Sequence, residues 1–184
     1  RYDKGEIKVL CNANLLINIP VDTRGLIHAN DSASLMGLKV LMQRGLTSLR
    51  NKEDRISASS YSKGHGISFI LDNNRSSFWA ANLADNKPEI TWKAPKAILL
   101  NAVMLQEPIA LGQRVKRFEV TLIDEAGNRE RLLGSTIGNK RILTFKARKI
   151  KSIQVNFLDA RGQVLLSNFD VLYLTSTHNE SLYH

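Results

Sequence analysis

One loop joins two apolar runs of this chain, and it reads Leu105-Gln106-Glu107-Pro108-Ile109-Ala110-Leu111-Gly112-Gln113-Arg114-Val115-Lys116-Arg117-Phe118-Glu119-Val120. The runs at 98–105 and 118–123 alternate apolar and polar residues, which is typical of strands with one face on a core. Pro108 interrupts ladder pairing, and Gly112 permits a positive φ. The sequence therefore predicts two core strands with a wide loop between them.

The loop carries more polar side chains than a bare turn needs. Glu107, Gln113 and Arg114 supply a carboxylate, an amide and a guanidinium, which together can recognise an external ligand. The alternative is that these side chains only hydrogen-bond the backbone of their own loop. The residue types leave both interpretations open.

The composition restricts the classes of function. The 184 residues fit one full domain plus a remnant, or one large all-β domain, and no apolar run is long enough for a membrane span. Cys11 is the sole cysteine, which excludes an internal disulfide and a cysteine-rich metal site, and its apolar neighbours favour a buried inert thiol. The first residues resemble neither a signal peptide nor a start-methionine context, so we expect a longer parent protein.

The net charge of +9 is compatible with nucleic acid, a membrane surface or an anionic glycan as a partner. The basic residues are spread along the chain, and none belongs to a run of five or six. The sequence also lacks an aromatic pattern for RNA binding and a zinc-ligand spacing. We therefore assign most of the charge to solvated strand faces and predict no nucleic-acid partner.

Residues 1–51 predict half of a βα repeat. The apolar stretch 6–19 is typical of a strand buried on both sides and ends at Pro20. Asn30 or Asp31 can cap a helix that runs to about residue 49. Its apolar stripe comprises Leu35, Leu38, Leu41 or Met42, and Leu46. One strand and one helix cannot bury both faces, so we expect exposed apolar surface here and a homodimer through residues 1–50.

Residues 52–175 contain short alternating segments separated by Gly, Asn and Asp turns. The predicted strands are 56–60, 67–71, 89–92, 98–105, 118–123, 130–133, 142–145, 150–158 and 164–174. Many short strands with such turns are typical of a β-sandwich or jelly roll. The fold class is therefore mainly β, and a loose polar tail is expected at 176–184.

Two stretches resemble one enzyme family. Asn14-Leu15-Leu16-Ile17-Asn18-Ile19-Pro20-Val21-Asp22-Thr23-Arg24-Gly25-Leu26-Ile27 resembles the pattern N-L-L-L-N-(I/V)-P-P-D-x-R-G-L-I. That pattern ends the catalytic barrel of the α-L-fucosidases of glycoside hydrolase family twenty-nine. Residues 105–115 and 136–143 resemble the discoidin-type C-terminal domain of the same enzymes, in the subfamily that prefers α-1,3/1,4 linkages. The two matches stand in the order that the family uses.

The resemblance implies that residues 1–51 are the last strand and helix of a (β/α)8 barrel. It implies that residues 52–175 form a galactose-binding-like β-sandwich, the discoidin fold that is also found in factor V/VIII type C modules. In the family, an Asp nucleophile and a carboxylic acid/base lie on earlier barrel strands, which this chain lacks, and Asp22 matches neither.

The function that the resemblance implies is that of a non-catalytic, carbohydrate-binding-like fragment of a secreted or periplasmic glycoside hydrolase. It would brace the catalytic barrel and contact a fucosylated or galactose-containing glycan. The alternatives are a purely structural or interaction module, or a discoidin-like binder of anionic surfaces.

The resemblance also suggests a structural calcium. Residues 69–79 resemble the discoidin pattern A-x-D-G-x-x-x-T-x-W, whose loop holds Ca²⁺ in many relatives. The corresponding oxygen donors are Asp72, Asn74, Ser77, the carbonyl of Phe69, and Ser167 and Asn168 from the late strand. Relatives with a firm site have Gly at the position of Asn73 and Glu at that of Asn168. The alternative is an Asx-turn without metal.

Further candidate sugar contacts are His65, which lies between two glycines, and Phe78. In related sugar-binding modules, loop His, Arg and Asn residues bind galactose hydroxyls. Phe78 alternates with Trp79, which we assign to the core, and Tyr61 and Trp92 are ambiguous.

The loop at 105–115 is expected to face the barrel, where Glu107 can reach a branching sugar, with Gln113 and Arg114 at the same rim. A salt bridge from Arg114 to Glu107, which would only lock the domain contact, is the alternative. The sequence does not separate the two.

Overall fold

A computed structural model of the chain describes residues 20–21, 23–45, 48–74 and 76–174. Within them the order of elements is α1 (Ala29–Gly45), β1 (Arg55–Ala58), β2 (Trp79–Ala80), β3 (Glu89–Gln106), β4 (Val115–Ile123), β5 (Arg129–Gly134), β6 (Arg141–Ala160), β7 (Leu165–Leu166) and β8 (Asn168–Leu172). The mainly β class is therefore confirmed. The strand predicted at 6–19, Cys11, Asp22 and the predicted tail lie outside the described residues.

The strands are antiparallel and form a sheet in the order β1-β3-β6-β4-β5, while β2 pairs with β7. The long strand β3 pairs with β6 on one side. On its other side it pairs with β1 near its start and with β8 near its end. One apolar cluster joins these strands, and its largest side chains include Trp79, Trp92, Phe118 and Phe169. This arrangement is the open sandwich that the alternating segments predict.

β3 and β6 are each continuous where the sequence predicts two strands. The register passes from the pair Lys93–Ser152 to the pair Ile98–Ile150, so β3 carries extra residues between these points. Pro95 lies in this bulge, where its missing N–H costs no ladder bond. The ammonium of Lys151 donates to the Pro95 carbonyl across the bulge. The sequence break is thus a bend within one strand.

The strand predicted at 67–71 is wrong, because the chain forms a 3-10 helix at Ile67–Ile70. Ile70 is fully buried, and Ile67 packs against the same core. Residues three apart lie on one face of a 3-10 helix, so this pair satisfies the core without a strand. The segment predicted at 164–174 divides into β7 and β8.

α1 begins at Ala29 and not after Asn30 or Asp31. The His28 carbonyl accepts from the N–H groups of Asp31 and Ser32, and His28 Nδ1 accepts from the N–H of Asn30 at 3.2 Å. His28 therefore occupies the capping position that we assigned to Asn30 or Asp31.

The apolar stripe of α1 is only partly covered. Leu35 and Leu38 are half-buried, whereas Met36 and Val40 are exposed. The side chains of Leu41, Met42 and Leu46 lie outside the described residues.

The segment that follows α1 is bonded to β8. Ser48 Oγ and Arg50 Nε donate to Asp170 Oδ1 at 2.6 and 3.2 Å, and the Leu49 N–H donates to the Val171 carbonyl at 3.0 Å. The Asp170 side chain is buried, so its carboxylate holds this segment against the sandwich.

Candidate functional site

Glu107 fixes the loop between β3 and β4. Its side chain is buried, and Oε1 accepts from the N–H groups of Arg114 and Val115 at 2.8 Å each. Oε2 accepts from the N–H of Gly138 at 2.7 Å, and the Glu107 N–H donates to the Gly138 carbonyl at 2.9 Å. Three N–H donors compensate the buried charge, so the carboxylate needs no cationic partner.

The position of Glu107 matches the interpretation that the loop side chains hydrogen-bond their own backbone. It differs from a sugar contact and from a salt bridge with Arg114. The carboxylate points into the interior and not toward a sugar, and Arg114 reaches it through its backbone N–H, not its guanidinium. If the carboxylate pointed outward, three backbone N–H groups would lose their acceptor. Glu107 is therefore a structural residue of the loop.

The exposed part of this loop is its tip. A 3-10 helix at Ile109–Leu111 precedes Gly112, which has a φ of +86°. Ile109, Leu111 and Gln113 are exposed around it. Gln113 remains available to a partner, as the sequence suggests.

Arg114 connects the loop to the neighbouring end of the sandwich. Its Nη1 donates to the Gln163 carbonyl at 3.4 Å. The Gln163 side-chain amide then donates to Ser62 Oγ at 2.8 Å and to the Ala81 carbonyl at 2.7 Å. This polar chain brings Arg114 to the same end of the sandwich as the loop that carries His65.

His65 and Phe78 form a parallel ring stack, with centroids 4.3 Å apart and planes at 16°. His65 Nδ1 lies 3.3 Å from the Phe78 carbonyl oxygen, to which it donates when it carries the proton. The Ala80 N–H donates to the His65 carbonyl at 3.3 Å, so the glycine-flanked loop is held on β2. The structure thus brings together two residues that the sequence proposed separately. Both rings are half-buried.

The other aromatic candidates differ in their exposure to solvent. Tyr61 is 64% exposed and precedes Ser62 at this end of the sandwich. Trp79 and Trp92 are buried, and their indole N–H groups donate to the Ser60 carbonyl and to Asp54 Oδ2. Both tryptophans are therefore core residues.

A cleft of about 340 Å³ lies next to Gln163 at the same end. Its lining includes Asn82, Leu83, Asp85, Leu158 and Gln163. Leu83 and Leu158 are exposed there, while the amides provide donors and acceptors. The mixture of aliphatic and amide groups is compatible with a polyhydroxylated ligand.

Sequence reasoning missed the side-chain network that holds this cleft. Ser59 Oγ and Ser60 Oγ donate to Asp85 Oδ2 at 2.5 and 2.6 Å, and the Lys87 N–H donates to Oδ1 at 3.0 Å. The hydrogen bonds from Ser59 and Ser60 hold the pKa of the Asp85 carboxyl below its usual value. The Asp85 turn is visible in the sequence, but its serine partners are too distant along the chain to be inferred.

The candidate calcium loop forms its own hydrogen bonds. Asp72 Oδ1 accepts from the Asn74 N–H at 2.8 Å, and Oδ2 accepts from Ser77 Oγ at 2.6 Å. Asn74 Oδ1 accepts from the Ser76 N–H at 3.0 Å. Asn73 between them has a φ of +58°. The structure brings Asp72, Asn74 and Ser77 together in the geometry of an Asx-turn, which forms without metal.

Two candidate ligands come from the late strand: Ser167, whose Oγ donates to the Gln106 carbonyl, and Asn168. Asn168 starts β8, and its Oδ1 is buried without a hydrogen-bond partner. Among the described residues, no group of three or more His, Cys, Asp or Glu side chains could hold a metal ion. The donor set therefore has several oxygens but one carboxylate, which fits Ca²⁺ weakly.

No family model matches the chain, but curated relatives and solved structures do. The chain is 27% identical over 165 residues to "Putative alpha-L-fucosidase 1" of Oryza sativa subsp. japonica, which covers 87% of this chain and 32% of the relative. It is 26% identical over 140 residues to "Alpha-L-fucosidase 1" of Arabidopsis thaliana, covering 73% of this chain and 28% of the relative. The chain thus spans about a third of the length of these relatives.

Solved structures of fucosidases and of a sugar-binding module superpose on this chain. A "putative alpha-L-fucosidase" from Bacteroides thetaiotaomicron superposes with a TM-score of 0.78 at 26% identity, over 89% of this chain and 37% of that one. A Ruminococcus gnavus GH29 fucosidase in complex with fucose gives a TM-score of 0.80 at 21% identity, over 89% and 34%. A Streptococcus pneumoniae fucose binding module gives 0.60 at 20% identity, over 68% and 94%.

No helix of the described residues is long and apolar enough to cross a membrane.

The module-sized match shows that the sandwich has the fold of small sugar-binding modules. The resemblance to α-L-fucosidases is confirmed over most of the chain, and the GH29 fucosidase shares its fold.

Proposed function

We propose that this chain is a non-catalytic, carbohydrate-binding-like part of an α-L-fucosidase, which braces the catalytic barrel and contacts a fucosylated or galactose-containing glycan. The observation that carries the proposal is the His65–Phe78 stack at the loop end of the sandwich. Structures with this fold include the fucose binding module and a C. perfringens family 32 CBM in complex with galactose. We expect a comparable ligand here.

The site has the two components that sugar binding needs. The stacked rings of His65 and Phe78 offer an apolar edge for the C–H face of a pyranose. The imidazole, the Arg114 guanidinium and exposed Tyr61 offer hydrogen bonds to hydroxyl groups. Because Gln163 and Ser62 connect Arg114 to the His65 loop, the two components are held by one network.

Catalysis is assigned to a part of the parent that this chain lacks. Glycoside hydrolysis requires two carboxylates across the scissile bond. Within the described residues the buried acids are Glu107 and Asp170, and both are used in backbone or ion-pair contacts. We expect the isolated chain to leave an aryl fucoside unhydrolysed.

The binding proposal is tested by NMR titration of the full chain with L-fucose, D-galactose and, as a non-ligand, D-glucose. We expect amide shifts at residues 61–66 and 78–82, and His65→Ala or Phe78→Ala should weaken binding at least about tenfold. Lys149→Ser, an exposed change on β6 outside the ring stack and the cleft, is the matched control. Unchanged binding in both ring variants, or no shifts with either sugar, would reject the sugar site.

A purely structural role is the second candidate, and the buried Glu107 anchor favours it. If the loop at 108–114 only docks on the barrel, the sugars leave the spectrum unchanged, whereas a separately expressed barrel domain binds. Binding that falls steeply with salt would instead indicate an anionic surface as the partner.

The same proposal includes a bound calcium ion, a secreted or periplasmic location and a homodimer through residues 1–50. Calcium is supported by the orphan oxygen of Asn168 and the donors of Asp72, Asn74 and Ser77. If it binds there, millimolar Ca²⁺ raises the melting temperature of the wild type but not that of Asp72→Asn. An equal response of both proteins would reject the site.

A further inference from the structure

Four exposed cations line a groove away from the ring stack. Lys52 and Lys96 line a cleft of about 540 Å³ between residues 51–54 and the bulge of β3. Arg55 and Lys93 line an adjoining cleft of about 610 Å³, and Asp54 borders both. The two clefts therefore form one continuous surface, which we call the basic groove.

The cations of the basic groove are not neutralised by the protein. Within the described residues, none of the four has a carboxylate at salt-bridge distance. Two acids also line the clefts: Glu53, which is exposed, and Asp54, whose Oδ2 accepts from Trp92 Nε1 and the Asn51 N–H. Four cations therefore stand against two carboxylates. From residue 90 to 106 and from 141 to 158 the sequence contains no Asp or Glu. The groove therefore keeps a net positive charge.

Two cations of the groove form an unfavourable cross-strand pair. Arg55 on β1 and Lys93 on β3 are direct cross-strand partners, and both are exposed. Like charges directly opposite each other destabilise a sheet. Protection of the sheet edge accounts for Arg55 on the edge strand β1, but not for Lys93, since β3 is an interior strand. An external anion between the two cations would turn this repulsion into attraction.

The chemistry of the lining selects the kind of anion. No aromatic residue lines either cleft, so the groove has no platform for stacking nucleobases. Three of its four cations are lysines, which act as compact point charges and not as bidentate forks for phosphate. Pro95, Ile98 and Ile56 supply aliphatic surface between them.

We propose that the basic groove binds an anionic polysaccharide, whose sulfate groups lie against Lys52, Arg55, Lys93 and Lys96. This site is separate from the His65–Phe78 stack, so one chain can hold a neutral sugar and a sulfated chain at different places. Its failure is distinguishable from that of the proposed function, because His65→Ala should leave it intact.

The test is calorimetric titration of the full chain with a heparin octasaccharide and with its desulfated, N-acetylated counterpart, at several salt concentrations. We compare Lys93→Ser/Lys96→Ser with Lys87→Ser/Lys116→Ser, which loses the same charge outside the groove. The groove variant should bind the sulfated probe about tenfold more weakly or worse. The slope of its log Kd against log salt concentration should be smaller by about two, one for each lysine removed. The control should change less than about twofold.

Removing Lys93 relieves its repulsion with Arg55, so the groove variant should melt no earlier than the wild type. If it nevertheless fails to fold, Lys52→Ser/Lys96→Ser is used in its place. The proposal is overturned by equal weakening in the groove and control variants, by equal affinity for the desulfated probe, or by tighter binding of a short single-stranded DNA.

Discussion

Glu107 shows how one carboxylate can fix the conformation of an exposed loop. Its two oxygens accept from the backbone N–H groups of Arg114, Val115 and Gly138. Because a buried unpaired N–H costs about 1–3 kcal/mol, Glu107→Ala should lower the free energy of unfolding by about 3 kcal/mol or more. Glu107→Gln keeps one acceptor and should lose less. Urea unfolding measures both, and an alanine variant as stable as the wild type would contradict the anchoring role.

Gly134 is required by its cross-strand partner. It pairs with Phe118, and a Cβ at Gly134 would lie 2.2 Å from Phe118 Cζ. The ring is fully buried and cannot retreat into solvent, so Gly134→Ala should destabilise by about 1–3 kcal/mol. Gly66→Ala is the control, since nothing lies within 4 Å of its Cβ. Thermal melts should separate the two variants; similar losses would disprove the packing argument.

The residues that the sequence located best are those whose environment is local. Phe118 and Trp79 follow from alternation and position, and both are buried. The bonds of Glu107 to its own loop are one of the two interpretations that the sequence allows, but its third donor, Gly138, lies thirty-one positions away and is not predictable. The His65–Phe78 stack likewise depends on tertiary packing, although both residues were selected singly.

At the scale of elements, Asp170 connects α1's following segment to β8. Its Oδ1 accepts from Ser48, Arg50 and the Val171 N–H, and the Arg50 side chain is itself mostly buried. Removing one partner of a buried ion pair costs about 3–5 kcal/mol, so Asp170→Ala should lower stability by that order. Limited proteolysis should then cut near residue 47 sooner than in the wild type.

The matched variant for Asp170 is Asp170→Leu/Arg50→Met, which removes both charges. It should recover much of the lost stability, because neither partner is left buried and unpaired. A double variant as unstable as the single one would show that the hydrogen bonds to Ser48 and Val171, and not the ion pair, hold the segment.

Asp85 connects the end of β1 to the loop before β3 and gives the fold a pH dependence. Its pKa is lowered in the folded state by Ser59 and then by Ser60, so the native state binds fewer protons than the unfolded state. This stability is present above the unfolded value of 3.8 and is lost as the pH falls through the lower folded pKa. Ser59→Ala/Ser60→Ala should flatten the fall in unfolding free energy below about pH 4. An unchanged acid slope would refute the assignment.

The strands that the sequence predicts correctly are those whose apolar and polar residues alternate regularly. β1, β4 and β5 lie where alternation places them, give or take a few residues. β3 and β6 were split because a bulge interrupts the period without ending the strand. The 3-10 helix at Ile67–Ile70 differs from the predicted strand because four apolar or small residues carry too little periodicity to distinguish a strand from a short helix.

For the whole molecule, part of the positive charge is concentrated at one surface, which composition alone does not reveal. The stretches 90–106 and 141–158 lack acids, and their bulged region adjoins Lys52 and Arg55. The loop end, by contrast, combines a ring stack with amide and carboxylate groups. The sandwich therefore has two chemically different surfaces.

Apolar side chains are exposed in the segment before the sandwich. Val21, Met36 and Val40 are 63%, 59% and 40% exposed, so burying them between two chains removes apolar area from water. We expect the full chain to sediment as a homodimer at micromolar concentration, and Met36→Glu/Val40→Glu to shift it to the monomer because charge on the contact opposes burial. Leu83→Glu, at a residue 79% exposed on the sandwich, should leave the dimer intact. A wild type that sediments as a monomer at every concentration would contradict a dimer built on this surface.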